Sequence, residues 1–337
     1  MWGPSAGTVR VHQPRGHSHD RSTHDHDVAG SWPTGAGGSW VDSIAEHRSG
    51  LIALAGRPNV GKSTLANALS GSHVAAVSPR PQTTRRRIAA VVHGEGWQAV
   101  LQDIPGFQTP RDALTQRMQR TVDQTLTDCD AAIFVVNAAE EIGSGDRFIA
   151  ERLRTTGLAT VIVINKTDNV RPHAIAHAIA TAARLVPDFV AVHPVSAVTG
   201  DGLDALKDEL RPLLPEGPAY FPPHLTTDQT PDERAAELIR EAALQRLREE
   251  VPHALAVAVE ELTAARDGVR VIASILVEHE SQKGIVVGKG GQMIREIGTS
   301  ARQVLSEVWG APVHLDLTVK VRRRWRQDDS MLNRLGL

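Results

Sequence analysis

The stretch Gly56-Arg57-Pro58-Asn59-Val60-Gly61-Lys62-Ser63-Thr64 constrains this chain more than any other, because the spacing G-x-x-x-x-G-K-[ST] requires a strand before it and a helix after it. Both are present. LIALAG (51 to 56) has the unbroken apolar character of a buried strand, and helical patterning resumes after Gly61. In that setting the backbone N–H groups from Asn59 to Thr64 converge on a phosphate at the start of the helix. Lys62 adds a point charge toward the β- and γ-phosphates, and Ser63 would hold Mg2+. A glycine turn that only caps a helix is the plain alternative.

Residues 48 to 215 alternate apolar runs with amphipathic segments, the rhythm of an α/β layer with a mostly parallel sheet. Further strands are expected at AAIFVVNA (131 to 138), TVIVINK (160 to 166) and FVAVHPVS (189 to 196), with a hairpin over 87 to 104 around Gly94-Glu95-Gly96. Short polar motifs close these strands. Asp103-Ile104-Pro105-Gly106 supplies a carboxylate for Mg2+ and a glycine N–H for the γ-phosphate. Asn165-Lys166-Thr167-Asp168 places a carboxylate that can accept from the two N–H donors of guanine, which adenine lacks, so GTP is favoured over ATP. Ser196-Ala197 can present a backbone N–H to the guanine O6. Each short motif is weak alone, and their order at successive strand ends gives them weight.

Composition removes other classes. The longest apolar runs, such as AAIFVV (131 to 136), fall well short of the roughly 20 residues of a membrane-spanning helix, so no transmembrane segment is expected. A single cysteine, Cys129, rules out an intrachain disulfide and a clustered-cysteine zinc site, and a reducing cytoplasm fits. The net charge of −2 confines any nucleic-acid surface to a local patch. Residues 1 to 47 lack apolar periodicity and read as a disordered extension. His17, His19, His24 and His26 make two His-x-His pairs there, a spacing able to catch a soft divalent metal with nothing around it to fix a geometry.

The segment 214 to 233 carries five prolines and is expected to continue neither helix nor sheet, which marks the linker at 216 to 231. Beyond it, at 232 to 337, come a helix to about 250, strands at HALAVAVEEL and RVIASILVE, a glycine-rich turn, a helix from about 290 to 308, and the strand PVHLDLTVKV. Residues 216 to 282 hold 6 basic and 13 acidic side chains, while 283 to 326 hold 9 basic and 3 acidic, so the basic footprint lies in the last part of the chain.

Residues 48 to 215 resemble a translation-factor-type GTPase domain, and with the downstream half the chain is similar to the bacterial Era GTPases. The resemblance includes SPRPQTTRRRI (78 to 88), similar to a first switch, and the segments 227 to 261 and 279 to 298, the latter with Gly288-Lys289-Gly290-Gly291 as a G-x-x-G loop. It implies a P-loop GTPase domain with a mixed, mostly parallel sheet (48 to 215), followed by an α+β type II KH RNA-binding domain. It also implies that Thr84 reaches Mg2+ and the γ-phosphate, so that Lys62, Thr84 and Gly106 form the catalytic group and Ser63, Thr84 and Asp103 hold the metal. The GTP-binding set then runs from Gly56 to Thr64, from Asp103 to Phe107, from Asn165 to Asp168, and over Ser196 and Ala197. Phe107 stands where Ras-like enzymes place a water-orienting glutamine, so slow intrinsic turnover is implied. Ile104 replaces the family's usual threonine, and Asn59 is the residue that in related GTPases helps bind K+.

In a KH module the G-x-x-G loop clamps the backbone of a short single strand. Ile285, Val286, Val287 and Ile294 are then the groove candidates, Lys289, Arg295 and Arg322-Arg323-Arg324 the phosphate contacts, and Trp325 the candidate for base stacking. Arg85-Arg86-Arg87 is the fallback RNA site. The resemblance implies a monomeric switch that engages the 3′ end of small-subunit ribosomal RNA, assists small ribosomal subunit maturation in the cytoplasm, and can sit peripherally at the inner face of the membrane. The alternative is an RNA-binding protein whose GTPase half is degenerate or purely structural.

Overall fold

The computed structural model describes residues 47–337 apart from 81, 108, 109 and 249. The extension read as disordered, with its histidine pairs, lies outside these residues except at His47, whose ring bonds the Gly217 carbonyl (3.0 Å).

The first half contains strands β1 (Arg48–Ala55), β2 (Ile88–Gly94), β3 (Trp97–Asp103), β4 (Ala131–Asn137), β5 (Ala159–Asn165) and β6 (Val192–Pro194). Helices α1 (Lys62–Ser70), α2 (Ala113–Asp128), α3 (Ser144–Thr156), α4 (Pro172–Leu185) and α5 (Leu203–Leu210) alternate with them. The sheet order is β2-β3-β1-β4-β5-β6, and only β2 runs antiparallel, paired with β3 from Gly94 opposite Trp97 to Ile88 opposite Asp103. Apolar side chains cover both faces. Ile52, Leu54, Ile133 and Val163 pack on one side, and Ala53, Phe134, Val136 and Ile164 on the other, which is why these strands read as unbroken apolar runs. Strand β1 has β3 on one side and β4 on the other, so the chain order reverses there and a crevice opens at its carboxyl end.

Two expectations need correcting. The strand expected over 189 to 196 is only three residues of β6, because Pro194 has no N–H to donate and the strand pairs with β5 alone. The proline-rich segment does join the sheet: Thr227 bridges Ala90, and Val91 N donates to Thr226 O (2.9 Å), which covers the otherwise open edge of β2.

The second half begins with α6 (Pro231–Arg246), whose start is set by a capping box between Thr230 and Glu233 and by Pro231 in the first turn. After it come α7 (Val251–Ala254), β7 (Ala256–Ala265), β8 (Gly268–Val277), α8 (Glu280–Val287), α9 (Gln292–Trp309), β9 (Val313–Val321) and α10 (Asp329–Arg334). The sheet order is β7-β8-β9, with β8 antiparallel to β7 and parallel to β9. A parallel pair needs a crossover, and α8 and α9 supply it. Periodicity had given only a glycine-rich turn where α8 stands. Gly284 and the β-branched run after it are poor helix formers, and Gln282 Oε1 starts the helix by accepting from the N–H groups of Glu278 and His279 (2.9 and 3.1 Å).

The halves share an apolar contact. Leu114 and Met118 of α2 pack with Ala256, Leu276, Trp325 and Leu332.

Candidate nucleotide site and nucleic-acid face

The loop that leaves β1 turns by sterics. Asn59 (φ 65°) and Gly61 (φ 98°) both take left-handed conformations, and a Cβ on Gly61 would collide with the Asn165 side-chain nitrogen. The first intrahelical bond of α1 runs from Leu65 N to Gly61 O (2.9 Å), so the N–H groups of Lys62, Ser63 and Thr64 lie in the unpaired first turn, an anion-binding arrangement. Lys62 is buried, and its Nζ donates to the carbonyls of Gly56 (3.0 Å) and Arg57 (3.1 Å). Burial pulls its ammonium down to about 8, against the opposing pull of Asp103.

Ser63 Oγ lies 2.9 Å from Thr84 Oγ1 and donates to Asp103 Oδ2 (2.7 Å), which Thr84 Oγ1 also approaches (3.1 Å). Asp103 is fully buried; desolvation raises its carboxyl, while Lys62 and the two hydroxyls work the other way. Its Oδ1 has no partner among the described residues. Two hydroxyls and a carboxylate within hydrogen-bond reach of one another are hard oxygen donors, a set that fits Mg2+. A cavity of about 450 Å3, the size of a small-molecule site, is lined by Pro58, Asn59, Lys62, Ser63, Thr84 and Gly106.

The base-side motifs converge at the same end of the sheet. Asn165 spans two of them, donating to Val60 O (2.9 Å) and accepting from Ala197 N (3.1 Å). The Ala197 N–H, expected to face a base, is therefore taken by Asn165. Lys166 (φ 64°) reaches back to Asn59 O (2.7 Å), and Ser196 Oγ donates to Asp168 Oδ1 (2.6 Å). Thr167 opens a short turn with Asp168. Pro58 restricts position 106, where a Cβ would come within 2.9 Å of its ring. Ile104 is buried, Pro105 joins it to Gly106, and Phe107 packs edge-on against Phe148 (6.0 Å). Sequence reasoning missed the buried Asp146, which with Glu140 holds Arg57 (2.9 and 3.0 Å).

The segment expected to form the first switch, 78 to 88, is held from the other half of the molecule. Arg85 is buried and donates to the carbonyls of Leu255 (2.6 Å), Pro252 and His253 (both 3.1 Å), with its guanidinium 5.7 Å from the Trp325 ring. Burial, then the Arg240 charge, lowers it to about 9. Arg86 pairs with Glu233 (2.8 Å) and Arg87 with Asp228 (3.5 Å). Of the fallback RNA site at 85 to 87, Arg85 and Arg86 are thus spent on internal contacts, while Arg87 stays exposed beside Asp228. Trp325 is likewise lost to base stacking, because it is buried with Nε1 donating to Ala254 O (2.8 Å).

On the expected RNA face, Gly288 (φ 72°), Gly290 (φ 59°) and Gly291 (φ 76°) shape the loop between α8 and α9, and Lys289 is exposed. Arg295 folds back onto the loop, donating to Gly290 O (2.8 Å) and Gly291 O (3.1 Å). Ile285 is exposed, whereas Val286 is a core residue and Val287 and Ile294 pack against that core. Arg322, Arg323 and Arg324 are exposed, but Arg322 N bonds Val277 O (2.7 Å) near the start of α8, so roughly 12 Å of helix separates them from the loop.

Comparisons with known proteins agree with this geometry. The family described as 50S ribosome-binding GTPase matches residues 51–166, and the KH domain family matches residues 250–326. GTPase Era of Mycobacterium bovis is 45% identical over 299 residues, covering 87% of this chain and all of the relative. GTPase Era of Mycolicibacterium paratuberculosis is 45% identical over 298 residues, with the same coverage. A crystal structure of Era in complex with MgGDPNP and nucleotides 1506–1542 of 16S ribosomal RNA superposes with a TM-score of 0.82 at 34% identity, over 86% of this chain and 99% of that one. The structure of a point variant of Aquifex aeolicus Era bound to GDP.AlF4- gives the same values.

Proposed function

The chain belongs to the Era family of GTPases, and from that membership we propose that it is a guanine-nucleotide switch whose second half grips single-stranded ribosomal RNA. The observation that carries the reading is the convergence of Lys62, Ser63 and Thr84 on one cavity at the carboxyl end of β1, with the buried Asp103 bonded to both hydroxyls behind them.

In the proposed mechanism the first-turn N–H groups of α1 and the Lys62 ammonium bind the β- and γ-phosphates, and the Gly106 N–H meets the γ-phosphate. Mg2+ held by Ser63 and Thr84, with Asp103 behind them, would neutralise charge on the phosphate oxygens. Asp168, steadied by Ser196, accepts from the guanine N–H groups, and Asn165 ties that wall to the phosphate loop. Phe107 offers no hydrogen bond to a water, so intrinsic turnover is slow. The Asn59 side chain is where K+ would attach, on the family resemblance alone.

We assign residues 48 to 215 to the GTPase domain and 232 to 337 to the RNA-binding domain, joined by 216 to 231. The proposed ligand is the 3′ end of small-subunit ribosomal RNA, by extension from the relative crystallised with nucleotides 1506–1542 of 16S ribosomal RNA. Lys289, Gly290 and Gly291 would meet its backbone, with Ile285 facing the bases. The proposed setting is a cytoplasmic monomer acting on the small ribosomal subunit, with any membrane contact peripheral. Among the described residues no helix is long and apolar enough to cross a membrane.

GTP hydrolysis assayed with and without an oligonucleotide copying that RNA end tests the reading. Slow turnover that changes with RNA supports it. RNA binding without any GTP hydrolysis would favour the degenerate-GTPase alternative.

A further inference from the structure

We propose that Arg240, a side chain of the RNA-binding half, is a positioning residue for GTP hydrolysis. This rests on the assignment of Thr84 as the threonine that engages Mg2+ and the γ-phosphate.

Arg240 lies on α6 and is buried. Its Nη2 donates to the backbone carbonyl of Thr83, and the same guanidinium is held by Glu237 (2.7 Å to Oε1 and 3.3 Å to Oε2). The Thr83 carbonyl and the Thr84 N–H belong to one planar peptide unit. Holding that oxygen therefore orients the plane from which Thr84 projects toward Ser63 and Asp103. The same bond polarises the peptide and makes the Thr84 N–H a stronger donor. Other contacts across the interface, from Arg80 to Leu247 O (3.3 Å), from Arg85 to the Pro252 and His253 carbonyls of α7, and from Arg86 to Glu233, fix the flanks of the segment. Of these, only the bond from Arg240 lands on the peptide that carries Thr84. Glu237 is needed to aim the guanidinium, and burying the pair away from water keeps the bond from exchanging with solvent.

A residue acting through Thr84 should matter for GTP and Mg2+ and leave GDP alone. Arg240→Ala is expected to lower kcat about 10- to 100-fold, the usual loss for a side chain that orients a metal ligand. The Mg2+ concentration for half-maximal hydrolysis should rise, affinity for a non-hydrolysable GTP analogue should fall, and GDP affinity should hold. Free guanidinium ion added to Arg240→Ala should restore part of the rate. Because Glu237 is left buried and unpaired in that variant, the double variant Glu237→Gln/Arg240→Met is measured beside it and should show the same kinetic pattern. Unchanged kcat and Mg2+ requirement in a folded variant would overturn the proposal, as would equal losses of GTP-analogue and GDP affinity. Thr84→Ala separates the two levels. If it hydrolyses GTP normally, the assignment of Thr84 fails and the proposal falls with it; if it is slow while the Arg240 variants are normal, only the role of Arg240 fails.

Discussion

The two glycine loops of this chain use their glycines for different reasons. In the phosphate loop the protein itself crowds the glycines: a Cβ on Gly56 would strike Val135 O and one on Gly61 the Asn165 side chain, just as one on Gly106, after β3, would strike the Pro58 ring. In the loop between α8 and α9 a Cβ on Gly290 or Gly291 would meet nothing within 4 Å. The first loop is preorganised by strands and loops distant in sequence, whereas the second is shaped by its own backbone conformation and by α9, where Met293 crowds Gly288 and Arg295 bonds the carbonyls of Gly290 and Gly291. Their polar groups follow the same division, since Lys62 and Asp103 are buried in fixed contacts while Lys289 and Arg322 to Arg324 stand in solvent. Nucleotide binding should therefore fail steeply on single changes, and RNA binding by degrees.

The largest effect is expected at Lys62. Replacing it with Ala removes the buried ammonium proposed to bind the phosphates and should weaken GTP binding by about 2–5 kcal/mol, the range for breaking a buried charge pair. Nucleotide titration measures this, and RNA affinity in the same variant should hold. Loss of both would break the division between the two sites.

Next comes Gly290→Asp. Asp tolerates a φ of 59° and its Cβ meets nothing within 4 Å there, so the fold and GTP binding should survive. A negative charge at the backbone contact should cost RNA binding about 1.5–3 kcal/mol, the worth of a hydrogen bond to a charged group, read by oligonucleotide titration. Wild-type affinity would move the RNA site elsewhere. The matching change in the other loop, Gly61→Ala, should instead impair GTP binding through collision with Asn165.

Dependence on pH sharpens the contrast. The folded, unliganded Lys62 titrates near 8, and bound phosphates raise that value, so binding takes up a proton above about pH 8. GTP affinity should be flat from pH 7 to about 8 and then fall, by at most about tenfold per pH unit, as the ammonium loses its proton. Affinity for RNA held by exposed arginines should show no such fall. Isothermal titration in two buffers of different ionisation enthalpy would detect the proton, and equal uptake below pH 7 would contradict the assignment to Lys62.

Arg323→Ala carries the smallest effect. Loss of one phosphate contact should reduce the slope of log affinity against log salt by about 0.7, the single-strand value per phosphate. An unchanged slope would show that the arginines at 322 to 324 stand too far from the loop to share its RNA.

The nucleotide site was legible in the sequence because its residues work through local backbone geometry. Gly61, Lys62 and Ser63 act from one strand-loop-helix turn, and Asp103, Asn165 and Asp168 close or follow strands whose apolar runs announce them. The G-x-x-G loop was legible for the same reason. Trp325 was misread because a tryptophan among arginines looks exposed in one dimension. Its ring is buried by Arg85 and by the carbonyl of Ala254, which come from 240 and 71 residues away.

What the sequence determined alone was the order of most elements, α8 excepted, and the candidates for meeting the phosphates, since both follow from periodicity and from φ values only glycine readily adopts. Which charges are free was decided only by the tertiary structure. Arg85, Arg86 and Arg87 look like a basic patch in the chain, yet in the fold Arg85 binds three carbonyls and Arg86 binds Glu233, while Arg87 and Arg322 to Arg324 stay exposed. Arg240 carries no motif at all, and it reaches the Thr83 carbonyl because α6 packs over the first switch. A buried guanidinium must find acceptors wherever the fold supplies them, and those acceptors are backbone carbonyls and carboxylates far away in sequence, which no local pattern can encode.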